Sequence, residues 1–272
     1  MSDQFNTQTP RAIKLQLWWF SASLITINVS LFFWAVLHGM NITDPSSFDA
    51  IRWGADYAPL TFLEEPIRLF TSMFFHFGLI HLMLNMWALY IFGHLAEQLY
   101  GRVYFIALYL LAGLMGSLLS GYMSIQDSYT LITLGEPKQS LYPGVSAGAS
   151  GAVMGIGAAL TVLSLLPEWP KQRFILDKKT LLWVMGINLA MGFSISGINN
   201  AAHIGGMLMG GLLSLFWYWG QRSQNSKCWQ TVGIVVATLL CVLFYTYCQH
   251  LVAHIQPLWQ SLAEWIQHPP TT

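Results

Sequence analysis

The stretch Gly148-Ala149-Ser150-Gly151 joins a polar loop to an apolar run over residues 150–166. The glycines Gly148 and Gly151 permit a tight turn and a close approach of the backbone at the start of that run. A hydroxyl at Ser150 would lie near free backbone N–H groups and the positive end of a helix dipole. Because an anionic tetrahedral intermediate is stabilised by such surroundings, Ser150 is a candidate nucleophile, provided that a base can reach it.

The composition predicts a membrane protein. Of 272 residues, 54% are hydrophobic and only 9% are charged, whereas about a quarter of the residues in soluble proteins are charged. The apolar residues fall into seven runs, most of them near the length of about 20 residues that crosses a bilayer. These runs cover residues 17–37, 79–96, 103–123, 150–166, 181–196, 203–219 and 232–252. We therefore expect an all-α polytopic membrane protein whose short fourth and sixth helices begin below the membrane surface.

The basic residues predict the orientation. With the N-terminus inside, the inner segments hold nine of the 12 Lys and Arg residues and the outer segments hold three, as the positive-inside rule requires. Seven crossings then leave the C-terminus outside. The aromatic outer loop over residues 38–75 is expected to rest in the interface, and Glu97 and Arg102 at an inner turn are expected to pair. The formal net charge is zero, so no basic field suggests nucleic acid.

The orientation brings four polar residues to one depth. The second, fourth and sixth spans all run inward, so His81, Asn85, Ser150 and His203 lie in the outer half of the membrane. A serine needs a base to take its proton, and histidine is the usual one. The outer half of the spans contains no acidic residue, so we predict a Ser150–His203 dyad. The backbone N–H of Ser150 and the side chains of His81 and Asn85 would stabilise the oxyanion.

Each of these residues also has a structural interpretation. The glycines could only pack helices, as Gly206 and Gly210 would with their small-xxx-small spacing. His203 could cap a helix, and His81 and Asn85 could hydrogen-bond between helices. His76 is interpreted as interfacial and structural, and Ser146 is a rival nucleophile. A transporter would show charges in mid-membrane or inverted repeats, and the sequence shows neither.

Four motifs together resemble the rhomboid family of intramembrane serine proteases. The resemblance extends from about residue 50 to residue 219. The motifs are His76-x4-His81-x3-Asn85, Glu97-x-x-Tyr100-Gly101-Arg102, Gly148-Ala149-Ser150-Gly151 and Ala202-His203-Ile204-Gly205-Gly206. Three positions depart from the family pattern. They are Ile67-Arg68 in place of Trp-Arg, Met154 in place of an aromatic residue, and Asn199-Asn200 where aspartate is common.

The resemblance implies a division of the chain and a function. Residues 1–16 would be a cytoplasmic tail, 17–219 a six-helix catalytic core, 220–256 an inside loop and seventh helix, and 257–272 a C-terminal tail. That tail is either an interfacial helix or frayed. Ser150 would be the nucleophile, His203 the general base, and His81 and Asn85 the oxyanion donors.

The resemblance also implies the partners. Substrates would be transmembrane proteins cut within the bilayer, near the outer face. No cofactor or metal is implied. A bacterial inner membrane suits the orientation, and the oligomeric state stays open. A catalytically silent relative that binds transmembrane segments for quality control is the alternative function.

Overall fold

The computed structural model describes residues 18–135, 138–169, 176–194, 199–223 and 225–267. In these ranges the chain forms ten helices, two short strands and the 3-10 turns Ser72–Phe74 and Gln139–Leu141. The elements are α1 (Trp19–Leu37), α2 (Ser47–Arg52), β1 (Asp56–Tyr57), α3 (Ala58–Leu63), α4 (Arg68–Thr71), α5 (Leu79–Tyr100), α6 (Arg102–Leu134), β2 (Val145–Ser146), α7 (Ser150–Leu165), α8 (Lys178–Ser194), α9 (Asn200–Arg222) and α10 (Ser226–Gln267).

Five of the described helices are long and apolar enough to cross a membrane, namely α1, α5, α6, α9 and α10. The helices α7 and α8 are shorter, with 16 and 17 residues. The predicted all-α polytopic architecture is therefore confirmed. The predicted sixth span begins three residues late, because α9 already starts at Asn200.

The helices α6 and α10 extend well beyond their predicted spans. With 42 residues, α10 is about 63 Å long, about twice the thickness of the hydrocarbon core. Its C-terminal part packs on the C-terminal part of α6: the Tyr129 hydroxyl donates to the Leu251 carbonyl at 2.8 Å, and Trp259 Nε1 donates to Ser128 Oγ at 2.9 Å. Trp259 is fully buried.

The two extensions correct the predicted segment boundaries. α6 continues to Leu134, beyond the predicted end at residue 123. No helix break separates residues 256 and 257, and the predicted tail is helical to Gln267, so it does not form a separate interfacial helix and is not frayed. Residues 268–272 lie outside the described residues. The packing of α6 on α10 stabilises both extensions. A prediction from hydropathy and span length takes no account of such contacts, so it missed them.

The first outer loop folds into α2, β1, α3 and α4 and is tied down at two places. Arg68 Nη1 donates to the carbonyls of Ile51 and Ala55 at 2.6 and 3.0 Å. β1 pairs antiparallel with β2, so that Asp56 lies opposite Ser146. The sequence did not predict this pairing. It fixes the outer loop to the segment that leads into Ser150.

Near the C-terminal end of α5, the buried Glu97 carboxylate caps the first turn of α1. It accepts hydrogen bonds from the backbone N–H groups of Phe20 and Ser21 at 3.1 and 2.8 Å, and from Ser21 Oγ at 2.9 Å. The expected pairing with Arg102 is wrong, since within the described ranges the one ion pair joins Glu65 and Arg68. A carboxylate satisfies the free N–H groups of a helix start and its positive dipole end.

In the centre of the bundle, α7 and α9 touch backbone to backbone. A Cβ built on Gly206 would meet the carbonyl oxygen of Gly151, and one on Gly210 would meet that of Gly155, both well inside 3.0 Å. The small-xxx-small spacing of Gly206 and Gly210 therefore has the packing role that it predicts. This crossing fixes the start of α9 against the start of α7.

Candidate active site

A glycine turn brings Ser150 and His81 together. Gly148 has a φ of +127°, which favours glycine, and its N–H donates to the Ser72 carbonyl at 2.9 Å. A Cβ at position 148 would lie 2.8 and 3.0 Å from Cε1 and Nε2 of His81, and 3.8 Å from Ser150 Oγ. The His81 ring and the Ser150 hydroxyl therefore both lie within 4 Å of one point.

The first turn of α7 presents free donors beside Ser150. Val153 N–H bonds the Ala149 carbonyl, and Ala149 N–H donates to His76 Nε2 at 3.4 Å. The Ser150 N–H has no intrahelical partner at this end. Negative charge that develops next to the Ser150 side chain would therefore meet an unused N–H and the positive end of the helix dipole.

A backbone contact fixes the tautomer of His81. The N–H of Phe77 donates to His81 Nδ1 at 3.2 Å, and the Phe77 and His81 rings stack with centroids 6.4 Å apart. In a neutral imidazole only one nitrogen carries a proton. Because Nδ1 accepts, Nε2 carries the proton and faces position 148 as a donor.

Asn85 lies one turn further along α5 and is buried. Its Nδ2 donates to the His81 carbonyl at 2.9 Å, so the amide is held on its own helix. The second Nδ2 hydrogen stays available for another acceptor.

His203 lies in the first turn of α9 with 7% of its surface exposed. A Cβ on Gly151 would lie 3.3 Å from the Ala202 carbonyl oxygen, so the residues next to Ser150 and His203 face each other across the two helices. His203 is also close enough to His81 for their charged forms to repel each other. Among the described residues, Ser150 and His203 share no hydrogen bond, and His203 Nδ1 is buried without a partner.

His76 is more central than the sequence indicated. It was expected at the interface, but it is 1% exposed, and its ring centroid lies 5.3 Å from that of His81. Burial, followed by the charge of His81, lowers the pKa of His76 to about 3. The ring is therefore neutral at physiological pH and can accept the Ala149 N–H. Its position five residues before His81 was the available signal.

A cavity of about 500 Å³ lies between α1 and the first outer loop, and His76 belongs to its lining. Ser150 and His203 do not line it. His76 thus stands between this apolar cavity and the segment that leads into Ser150.

Two further positions singled out from the sequence are engaged elsewhere. The Ser146 hydroxyl accepts a hydrogen bond from Asn199 Nδ2 at 2.9 Å. Met154 is buried with Met185 of α8 and with Ala158, where family members often carry an aromatic residue. Within the described ranges, no group of three or more His, Cys, Asp or Glu residues could hold a metal ion.

Comparisons with known proteins place the chain in a family. A family model described as Rhomboid domain matches residues 63–222, more than half of the chain. The chain is 26% identical over 240 residues to rhomboid protease AarA of Providencia stuartii, covering 83% of this chain and 81% of that protein. It is 31% identical over 191 residues to rhomboid protease GluP of Bacillus subtilis (strain 168), covering 70% of this chain and 33% of that protein.

A plant relative also matches. The chain is 35% identical over 168 residues to the mitochondrial RHOMBOID-like protein 6 of Arabidopsis thaliana, covering 61% of this chain and 48% of that protein. It thus spans most of the Providencia protein but half or less of the other two. On the strength of the matched domain, this chain belongs to the rhomboid family.

Proposed function

We propose that this protein is an intramembrane serine endopeptidase that hydrolyses peptide bonds in or near transmembrane segments, with Ser150 and His203 as its dyad. The observation that carries the proposal is the convergence of three helix starts: Ser150 Oγ and His81 Nε2 lie within 4 Å of one point, and the start of α9 packs on Gly151. The two bacterial relatives named as rhomboid proteases support the same activity.

In the proposed mechanism, His203 takes the proton of Ser150 as the hydroxyl attacks the substrate carbonyl, and later gives it to the leaving amine. Its Nδ1 is enclosed, which leaves Nε2 as the nitrogen that acts. The missing Ser150–His203 hydrogen bond is compatible with this role, because catalytic hydrogen bonds are often long without substrate. Water then hydrolyses the acyl-enzyme with His203 again as base.

The oxyanion of each tetrahedral intermediate would be met by the Ser150 N–H and by His81 Nε2–H. The contact of Phe77 N–H with His81 Nδ1 supports His81 as a donor, since it keeps the proton on Nε2. Asn85 would contribute its second Nδ2 hydrogen. Each donor of this kind is worth about 100-fold or more in rate.

The substrates that we propose are transmembrane proteins, because the dyad would lie in the outer half of the bilayer. Helical carbonyls are already hydrogen-bonded, so a substrate helix must unwind before Ser150 can attack. The proposed orientation has the N-terminus in the cytoplasm and the C-terminus outside. It rests on the nine inner and three outer basic residues and suits a bacterial inner membrane.

The test is labelling by a fluorophosphonate in detergent. The parent protein should label and the Ser150→Ala variant should not. The His203→Ala variant should label at least about 100-fold more slowly than the parent. Cleavage of a transmembrane substrate in liposomes should follow the same order.

The matched control is Ser146→Ala, which removes the rival serine four residues earlier and should still label. If a well-folded parent stays unlabelled, the silent membrane-segment binder becomes the better account. If labelling persists in Ser150→Ala, another serine is the nucleophile.

A further inference from the structure

One amide side chain joins three elements around the candidate dyad. Asn199 lies at the N-cap of α9, and its Oδ1 accepts from Ala202 N–H at 3.0 Å. Its Nδ2 donates to Ser120 Oγ of α6 at 2.5 Å and to Ser146 Oγ of β2 at 2.9 Å. Because the Ala202 N–H requires an acceptor, the oxygen must face α9 and the nitrogen must face the two serines.

The imidazole of His203 depends on this helix start for its position. Among the described residues, none forms a hydrogen bond with its buried Nδ1, so no hydrogen bond at that nitrogen orients the ring. Its backbone N–H donates to the Asn199 carbonyl at 3.2 Å. The side chain and the main chain of Asn199 therefore both fix the turn from which His203 projects.

The other end of the contact reaches the nucleophile. Ser146 lies four residues before Ser150, and its backbone belongs to β2, which pairs with Asp56 of β1. From Ser146 the chain continues to Gly148, whose N–H is held by the Ser72 carbonyl. The Asn199–Ser146 hydrogen bond is thus a short link between the turn that carries the base and the loop that carries the nucleophile.

We propose that Asn199 is a positioning residue that sets the separation of Ser150 and His203, an inference that rests on the proposed function. The contact requires a side chain that binds Ala202 N–H and the serines at the same time. An aspartate would keep both contacts, because a serine hydroxyl can donate to its second carboxylate oxygen. An alanine loses all three contacts.

The experiment measures inactivation by a fluorophosphonate in detergent and separates the maximal rate, kinact, from the binding constant, KI. Asn199→Ala is expected to lower kinact about tenfold and to leave KI unchanged, because small displacements of reacting groups cost rate, whereas the probe still binds. Ser146→Ala removes only one acceptor and should lower kinact by a smaller factor. In the Asn199→Ala/Ser146→Ala double variant the losses should not multiply, since both changes break the same bond.

The matched control is Tyr104→Phe. The Tyr104 hydroxyl donates to the Leu213 carbonyl at 2.6 Å, so this change also removes a hydrogen bond between α6 and α9, but at the inner end. It should lower the Tm without changing kinact. An Asn199→Ala variant whose kinact equals that of Tyr104→Phe would overturn the inference.

Amide hydrogen exchange tests the link without catalysis. Residues 144–149 should exchange about tenfold faster in Asn199→Ala and at the parent rate in Tyr104→Phe, because loss of the bond frees the loop. Unchanged exchange overturns the inference, even if the parent never labels. An unlabelled parent with faster exchange in Asn199→Ala would instead contradict the proposed function and leave the link standing. If Asn199→Ala does not fold, Ser146→Ala gives the same two readouts.

Discussion

The helix that begins at Ser150 has two very different neighbours. Towards α9, α7 presents glycines, and the facing atoms are backbone carbonyls: Gly206 lies on Gly151 and Gly210 lies on Gly155. Towards α8, the same helix presents Gly157 and Met154, and Met185 fills the contact. A Cβ on Gly157 would lie 2.5 Å from Met185 Sδ, the far end of a flexible side chain.

The difference separates a fixed interface from an adaptable one. Backbone atoms cannot move without shifting a helix, whereas methionine has three rotatable bonds and fills irregular space. The proposed nucleophile and base lie on the two helices of the fixed interface, where a displacement of 1 Å is costly. The adaptable interface lies towards α8, where a rearrangement would disturb the proposed dyad least.

The largest expected effect comes from filling the fixed interface. Gly206→Ala places a methyl group on the Gly151 carbonyl oxygen, so α7 and α9 must separate. We expect a loss of about 3 kcal/mol or more, which corresponds to a fall in Tm of roughly 10 °C in a protein of this size. Unfolding in detergent can be followed by the fluorescence of the 12 tryptophans.

The control for this prediction is Gly211→Ala on the same helix. A Cβ there meets only Val162 Cγ2 at 3.5 Å, an ordinary contact, and alanine favours a helix over glycine by about 1 kcal/mol. Its Tm should equal or exceed that of the parent. Equal Tm values for the two variants would mean that the α7–α9 interface can open without loss.

The fixed α7–α9 interface is continued by the contact of Asn199 with Ser146 and by the pairing of β2 with β1. Asp56 of β1 should make the stability of the folded protein depend on pH. Burial raises the pKa of Asp56 from 3.8 to about 6, while the hydrogen bond from Thr61 and the charge of Arg68 lower it. The folded state thus favours the protonated carboxyl. That contribution is fully present below pH 3.8 and is lost as the pH rises through 6, at about 1.4 kcal/mol per pKa unit.

Asp56→Asn should remove this dependence, because the amide keeps an acceptor for Thr61 and cannot ionise. The stability of the parent relative to Asp56→Asn should fall by up to about 3 kcal/mol between pH 4 and pH 7.5. His76 also makes stability depend on pH, because burial and then the charge of His81 lower its pKa to about 3, so that its neutral form favours the folded state as the pH rises. This contribution is common to both proteins and cancels in the difference between their stabilities. A constant difference across this range would show that Asp56 is not held in a desolvated site.

The sequence located the candidate site because its parts depend on local rules. Helical spacing puts His81 and Asn85 on one face, glycines mark the start of α7, and the distribution of basic residues predicts that Ser150 and His203 share one depth. The structure brings His81, Ser150 and the start of α9 together at the same end of the bundle. Charge and span counting gave no distances, and the membrane face at which this end lies stays a prediction.

The contacts that the sequence missed join distant segments. A pair of two-residue strands carries no periodic signal, so β1 and β2 were invisible. Asn199 reaches Ser120 and Ser146 across 79 and 53 residues, and Glu97 reaches Ser21 across 76. For Glu97 the nearby Arg102 suggested a partner, but the free N–H groups of α1 offered a better one, since a buried carboxylate needs several donors.

The smallest expected effect sharpens the comparison most, because it repeats the same substitution on the other side of α7. Gly157→Ala also introduces a close contact, but with Met185 Sδ. The next nearest atoms to the new Cβ are Met185 Cε and Phe92 Cε2, at 3.4 and 3.5 Å. A change of rotamer in Met185 should absorb the methyl group. We expect a cost below about 1 kcal/mol, offset by the helix propensity of alanine, so the Tm should stay within a few degrees of the parent and far above that of Gly206→Ala. A fall as large as that of Gly206→Ala would show that Met185 cannot move, and that α7 is held as rigidly towards α8 as it is towards α9.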